Sequence, residues 1–290
     1  MTDTESLTRA FDSGAVDYVK KPFNKAELLA RIHTHIELKK SRDLIKEKNK
    51  ELEYEKEKSD ALLHNILPHE TAEELKKYGK AQTKYYESAS VLFTDFKGFT
   101  KIAESLSPKE LVEELDFIFT KFDDIIAKFK LEKIKTIGDA YMCAGGIPVA
   151  NAKNSFAMVL AGLEIQEFMT AHNLEKIQKQ AVLWHLRLGI HTGELIAGVV
   201  GKQKFAYDVW GDTVNTASRM ESAGEPGKVN ISDSTYEIVK DFFDCTFRGK
   251  IAVKNKGEIA MYFVERIKPR FAKDAAGFEP NALFWSYIGL

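Results

Sequence analysis

Asp95 closes an apolar run, VLFTD, and Asp139 follows a glycine in KIKTIGDAY. A carboxylate at the end of a buried strand costs several kcal/mol of desolvation unless something compensates it, and a bound cation does so. Asp139, at a turn after Gly138, can approach an Asp95 on a neighbouring strand; alone it reads as an ordinary turn aspartate. Two carboxylates that meet in this way can hold divalent ions. Downstream, Asn215 and Arg219 in DTVNTASRM are four residues apart, hence on one helix face. By themselves they describe a solvated helix. Asp212 stands where that helix expects its N-cap. Lys135, just before Thr-Ile-Gly, and Asp208, in YDVW, are a cation and an anion that could form no more than an exposed pair.

The elements that must position these residues alternate between strands and helices. Residues 90–96 read as an apolar strand. Ser107-Pro108-Lys109-Glu110 is a capping box with proline at the first helical position, opening a helix to about Phe129. Residues 131–137 and 140–145 form two strands hinged at Gly138-Asp139, and residues 154–172 a helix. Residues 184–190 and 195–200 are expected to pair around a turn at HTGE. A short helix over 212–222 precedes strands near 228–231, 243–247 and 261–266. This βαββαβ-like order suits an α+β, ferredoxin-like fold, an antiparallel sheet with helices on one face.

Composition limits the function classes. The chain has 290 residues, 44% of them hydrophobic, and a net charge of −1 from 42 basic and 43 acidic side chains. That is enough for one large domain with appendages, and it offers no positive field for nucleic acid. Cys143 and Cys245 lie far apart, without metal-type spacing, and read as reduced thiols. No apolar run approaches the ~18 residues of a membrane span. The start, MTDTESLTRAF, lacks the layout of a signal peptide. The expectation is a soluble, cytoplasmic protein without membrane insertion.

Over residues 86–267 the phrases FTDFKGFT, KIKTIGDAY and YDVWGDTVNTASRM, in this order and spacing, resemble the class III nucleotidyl cyclases, specifically the adenylyl branch. The resemblance implies that core with extra strands, converting ATP to 3′,5′-cyclic AMP and pyrophosphate. It makes Asp95 and Asp139 ligands of two Mg2+ (or Mn2+) per site, with the Phe96 carbonyl as a further ligand. The amides of residues 97–99, Gly98 and Phe99 among them, would face phosphate at the start of the next helix. Lys135 and Asp208 become the base readers, because family members that use GTP carry Glu and Cys there. Adenine offers N1 as acceptor and its 6-amino group as donor, which match an ammonium and a carboxylate. Asn215 would position the ribose and Arg219 stabilise charge at the α-phosphate. Lys254 in VKNKGE matches the lysine on the terminal phosphates, with Lys256 a second candidate. Glu194 departs from the arginine that some relatives carry after the His-Thr-Gly turn, and His191 there reads as structural. In this family the site forms between two chains, so a homodimer is implied. The competing readings are a guanylyl cyclase and a non-catalytic nucleotide-binding module that dimerises.

Four segments follow: residues 1–40, 41–67, 68–267 (the cyclase-like domain) and 268–290. GAVDYVKKPF, in the first, resembles the last strand and helix of a response-regulator receiver domain; only about its last third is expected here, so phosphorylation switching is not. Residues 41–67 are highly charged. Leu38, Ile45, Leu52 and Ile66 fall on one heptad position and Arg42, Asn49, Lys56 and Leu63 on the other. This is either a solvated helix or a thin parallel coiled coil, and a cyclase that works as a dimer tilts the expectation to a coiled-coil linker. LLHNILP, residues 62–68, resembles the short transducing element before such domains. The aromatic tail, with Phe284, Trp285 and Tyr287, is expected to dock on the domain or on a partner.

Overall fold

The capping box forms as its residues dictate: Ser107 Oγ accepts from the Glu110 amide, and the Glu110 carboxylate accepts from the Ser107 amide. The structure is a computed structural model describing residues 3–288 apart from Lys20, Gln203 and 254–256. Two units are present, Met1–Leu63 and His64–Leu290.

The first unit holds α1 (Asp3–Asp12) and most of α2 (Lys25–His64), with Arg31 on α2 donating to Asp17 at 2.9 Å. Residues 15–19 form no strand, contrary to the receiver-like reading. A strand needs a neighbour to satisfy its ladder groups, and among the described residues none pairs with this segment. The Lys21–Pro22 peptide is cis. Helix α2 buries no residue, and Leu38, Ile45 and Leu52 are each more than half exposed. Ile66 lies beyond the helix end and leaves the heptad series. Pro68, which caps the next helix, disfavours helical geometry in the residue before it.

The second unit runs α3 (His69–Tyr78), β1 (Lys84–Phe96), α4 (Phe99–Ser105), α5 (Pro108–Lys128), β2 (Glu132–Ile137), β3 (Ala140–Gly145), α6 (Asn154–Gln178) and β4 (Leu186–Val200). It continues with β5 (Ala206–Trp210), α7 (Asp212–Ser222), β6 (Val229–Ser232), α8 (Asp233–Val239), β7 (Phe243–Val253), β8 (Gly257–Ile267) and α9 (Ala282–Ile288). The sheet order is β2-β3-β1-β4-β6-β8-β7, with β5 beside β4. Its first four strands carry the ferredoxin-like order, and β4–β6 is the parallel pair among antiparallel ones. Among the described residues no helix is long and apolar enough to cross a membrane.

Two expectations change here. HTGE is not a turn: β4 passes straight through it, with His191, Thr192 and Gly193 opposite Val91, Ser90 and Ala89. Nor do the helices share one face. Side chains alternate along β4: Leu188 and Ile190 lie against Gly162 of α6, whereas Gly189 and Gly193 lie against α7. A Cβ on Gly189 would sit 1.9 Å from the Glu221 amide nitrogen, and one on Gly193 2.6 Å from Thr213 Oγ1. These glycines serve close helix approach, not chain reversal. Helix α7 therefore covers the face opposite α6.

On the α6 face lies the main core, including Leu92, Phe96, Phe122, Tyr141, Met158, Trp184 and Leu188. Within it a buried polar cluster joins four elements, β1, α6, β4 and α8: Ser90 Oγ bonds Asn154 Oδ1 at 2.6 Å and Thr192 Oγ1 at 2.8 Å, and Thr235 Oγ1 donates to Thr192 at 3.1 Å. The tail docks on its own domain through Phe284, which is fully buried against Phe242, Phe243 and Phe271.

Gly189→Ala should lower unfolding free energy by more than about 2 kcal/mol, because backbone must move to admit the methyl. Gly162→Ala, whose added Cβ meets only side-chain atoms at 3.3–3.4 Å, should change it by less than about 1 kcal/mol, helped by helix propensity. Urea denaturation of both variants checks the contrast.

Candidate active site

Asp95 pairs with Arg187 across β1 and β4, on the α7 side of the sheet; its neighbours Thr94 and Phe96 turn to the core. The β2–β3 turn brings Asp139 alongside, as the glycine before it suggested: Gly138 has φ of 63°, and Asp139 Oδ2 accepts from the Phe96 amide at 3.4 Å. Burial, and next the negative charge of Asp95, hold the Asp139 carboxyl above its ordinary range; the Phe96 amide opposes them. Burial and the charge of Asp95 raise the cost of ionising Asp139, and at this half-buried strand end a divalent cation would offset both. The donor set is oxygen-only, as magnesium or manganese requires.

Lys135 on β2 and Asp208 on β5 also meet: Lys135 Nζ donates to Asp208 Oδ2 at 2.5 Å. Their side chains are 41% and 18% exposed. A pair so open to water contributes only ~0–1 kcal/mol, so stability does not account for it. Lys135 faces Met142, which itself pairs with Phe93 opposite Gly189. The Lys135–Asp208 pair therefore shares the face of Asp95 and α7.

Asn215 is exposed and Arg219 half-buried on α7. Among the described residues neither side chain has a hydrogen-bond partner, so both can accept a ligand without breaking one. Asp212 is not the N-cap; it is the first helical residue, and Gly211 (φ 139°) caps without a side-chain bond. Lys97 loses its expected role, because its amide donates to the His185 carbonyl at 2.9 Å. Gly98 (φ 78°) and Phe99 stand at the start of α4, and Phe96 is locked edge-on against Trp184 at 4.9 Å. Lys254 and Lys256 lie outside the described residues. His191 Nδ1 meets Ser232 Oγ at 2.7 Å, a structural bond, and Glu194 accepts from the Tyr85 hydroxyl at 2.5 Å.

Two charged residues here went unnoticed in the sequence. Arg187 donates to Asp95 and stands 3.0 Å from Glu221 of α7. Burial pushes the Glu221 carboxyl up to about 7, against the pull of Arg187. The signal was an arginine inside the otherwise apolar LRLGI, on the side of the strand that Gly189 opens. On the same strand as Lys135, Glu132 is half-buried, and burial raises its carboxyl to about 7.

The family model of the adenylate and guanylate cyclase catalytic domain matches residues 81–266. The adenylate cyclase of Mycobacterium tuberculosis is 41% identical over 232 residues, covering 79% of this chain and 52% of that protein. Guanylate cyclase 32E of Drosophila melanogaster is 37% identical over 234 residues, covering 80% of this chain and 20% of that protein. The chain thus spans from a fifth to about half the length of these relatives. Among solved structures, the catalytic core of a rhodopsin-guanylyl cyclase with converted specificity, in complex with ATPalphaS, is 35% identical with a TM-score of 0.59. It covers 63% of this chain and 97% of that one.

Glu132 yields a pH prediction. Its folded value of about 7 exceeds the 4.5 of an ordinary glutamate. Between these limits the folded state holds a proton that the unfolded state has lost, so this group's contribution to stability falls as pH rises through the window. Glu132→Gln should therefore leave stability nearly unchanged at about pH 4.5 and raise it by on the order of 1–3 kcal/mol at about pH 8. Denaturation curves at both pH values measure the difference.

Proposed function

Because this chain belongs to the adenylate and guanylate cyclase catalytic domain family, we propose one reaction for it: cyclisation of ATP to 3′,5′-cyclic AMP with release of pyrophosphate. Relatives of both base specificities match the chain, so the choice of base is the step to be argued. The observation that carries the choice is the Lys135–Asp208 pair. An ammonium donates to adenine N1 and a carboxylate accepts from the 6-amino group. Guanine presents a protonated N1 and a 6-oxo acceptor, which would oppose a donor with a donor and an acceptor with an acceptor. Mispaired buried polar groups cost ~1–3 kcal/mol each, so two of them decide the substrate.

Asp95, Asp139 and the Phe96 carbonyl would hold two divalent cations, Mg2+ or Mn2+, whose contribution is to neutralise phosphate charge and acidify the ribose 3′-hydroxyl. In the reaction the 3′-oxygen loses its proton and bonds to the α-phosphorus while the bond from that phosphorus to the β-phosphate bridging oxygen breaks. Asn215 orients the ribose for this in-line approach. Arg219 meets the charge that builds on the α-phosphate, a preorganised donor worth about 2–4 kcal/mol. Gly98 and Phe99 amides and Lys254 hold the outer phosphates. We assign the metal carboxylates to one chain and Lys135, Asp208, Asn215, Arg219 and Lys254 to a second. All of these except Lys254 lie among the described residues. Asp95, Lys135, Asp208 and α7 share a sheet face away from α6, where a second copy can complete the site.

The test is product analysis with ATP and with GTP, each with Mg2+ or Mn2+. Cyclic AMP should dominate, and Asp95→Ala should abolish it; robust turnover by that variant would remove the metal assignment. Lys135→Glu combined with Asp208→Cys should shift the ratio of kcat/KM values toward GTP. An unchanged ratio would show that the base is read elsewhere.

Shared sites make a separate prediction. Asp95→Ala and Asn215→Ala proteins, each inactive, should recover activity when mixed. One of the two sites in a mixed dimer carries both lesions and the other neither, so the ceiling at equal mixing is about a quarter of wild type. Absence of recovery despite measured subunit exchange would place the site within one chain.

A further inference from the structure

Among the described residues outside the candidate active site, one cluster has the donor chemistry and spacing of a metal centre. His64, at the end of α2, and His69 and Glu73, on one face of α3, each offer a ligand atom, and these atoms all lie within 4.8 Å of one another. His69 and Glu73 are four residues apart, so α3 stacks them on the same side. The two imidazoles lie nearly parallel, with centroids 4.5 Å apart at 30°. His64 Nε2 is buried and has no hydrogen-bond partner; Glu73 Oε1 is 3.5 Å away. A buried ring nitrogen without a partner is costly, and a metal ion would satisfy it together with its two neighbours.

We propose that His64, His69 and Glu73 form a zinc-type site, with two imidazole nitrogens and one carboxylate oxygen as ligands and a water or external group in the fourth position. Two imidazoles and a carboxylate form a common set for this ion. Bonds of 2.0–2.2 Å put tetrahedral ligands roughly 3.5 Å apart, so any pair of ligand atoms near the 4.8 Å limit must close in. His69 and Glu73 are exposed and can turn without disturbing the core. The competitor is internal: Lys76 Nζ donates to Glu73 Oε1 at 2.7 Å. Binding must draw that oxygen from the lysine. All three ligands belong to the His64–Leu290 unit, and the ion would tie its first residue to the first two turns of α3 across residues 65–68. The site is independent of Asp95 and Asp139 and stands whatever nucleotide the protein uses.

The experiment is calorimetric titration of the full chain with Zn2+, and with Co2+ for its visible spectrum. Asp95→Asn and Asp139→Asn are introduced first, so that the carboxylate pair does not contribute. One zinc per chain is expected, with a cobalt spectrum of four-coordinate type. His69→Gln and Glu73→Gln, both at exposed positions, should each weaken binding beyond the ~10–100-fold that loss of a supporting contact costs a metal site. Lys76→Ala should tighten binding several-fold by freeing Glu73. The thermal midpoint should rise with zinc in the parent and not in the ligand variants. His64→Gln adds the third ligand where circular dichroism shows it folded. Absence of saturable binding in the parent overturns the site, as does equal affinity in His69→Gln and Glu73→Gln.

Discussion

Everything at the candidate active site depends on how closely α7 can approach β4. Gly189 leaves room for the backbone at Met220 and Glu221, and Gly193 for Thr213, whose hydroxyl donates to the Glu194 carbonyl at 2.6 Å. Because side chains alternate along a strand, both glycines open the same face, opposite the α6 core. Helix α7 then lies on that face, carrying Asn215 and Arg219 on one side and Glu221 near its end. A β-carbon at either position would push the helix away, and with it the group expected to meet the reacting phosphate.

Electrostatics follow from that contact. Arg187 sits between Asp95 and Glu221, so one guanidinium faces two carboxylates while Asp139 adds a third nearby. A single cation faces three partly buried carboxylates; burial first, and then the charge of Asp95, hold the Glu221 and Asp139 carboxyls above their ordinary range. The imbalance is local: the whole chain carries a net charge of −1. Such a site carries its negative charge at a cost in stability that a bound cation would offset.

Much of this was legible in the sequence where the signal was local. The capping box at Ser107, the hinge at Gly138 and the bounds of α7 follow from adjacent residues, and the structure contains each. The turn at Gly138 pointed Asp139 toward Asp95, whereas the meeting of Lys135 with Asp208 was accessible through family phrases, not through spacing. HTGE reads as a turn by its glycine, but Gly193 serves close packing. The placement of α7 on the second face was missed for the same reason, since propensity says which residues coil and not which side they cover. Short elements such as β5 and α8 gave too few residues for a periodicity to register. Arg187 lay hidden in an apolar strand because its partners come from β1 and α7, both distant in sequence.

The buried hydroxyls have a role as a ruler. Ser90 and Thr192 are directly opposite in the β1–β4 ladder, and so are Asp95 and Arg187, five positions further along β1. A slip of two residues would keep every side chain on its own face and would thus evade the hydrophobic pattern as a check. It would also set Ser90 opposite Ile190 and part Thr192 from its bond to Ser90. Loss of that buried bond costs about 0.5–1.5 kcal/mol. The polar knot therefore supplies the discrimination that apolar alternation lacks, fixing the alignment at one end of the strand pair so that the carboxylate at the other end meets its arginine.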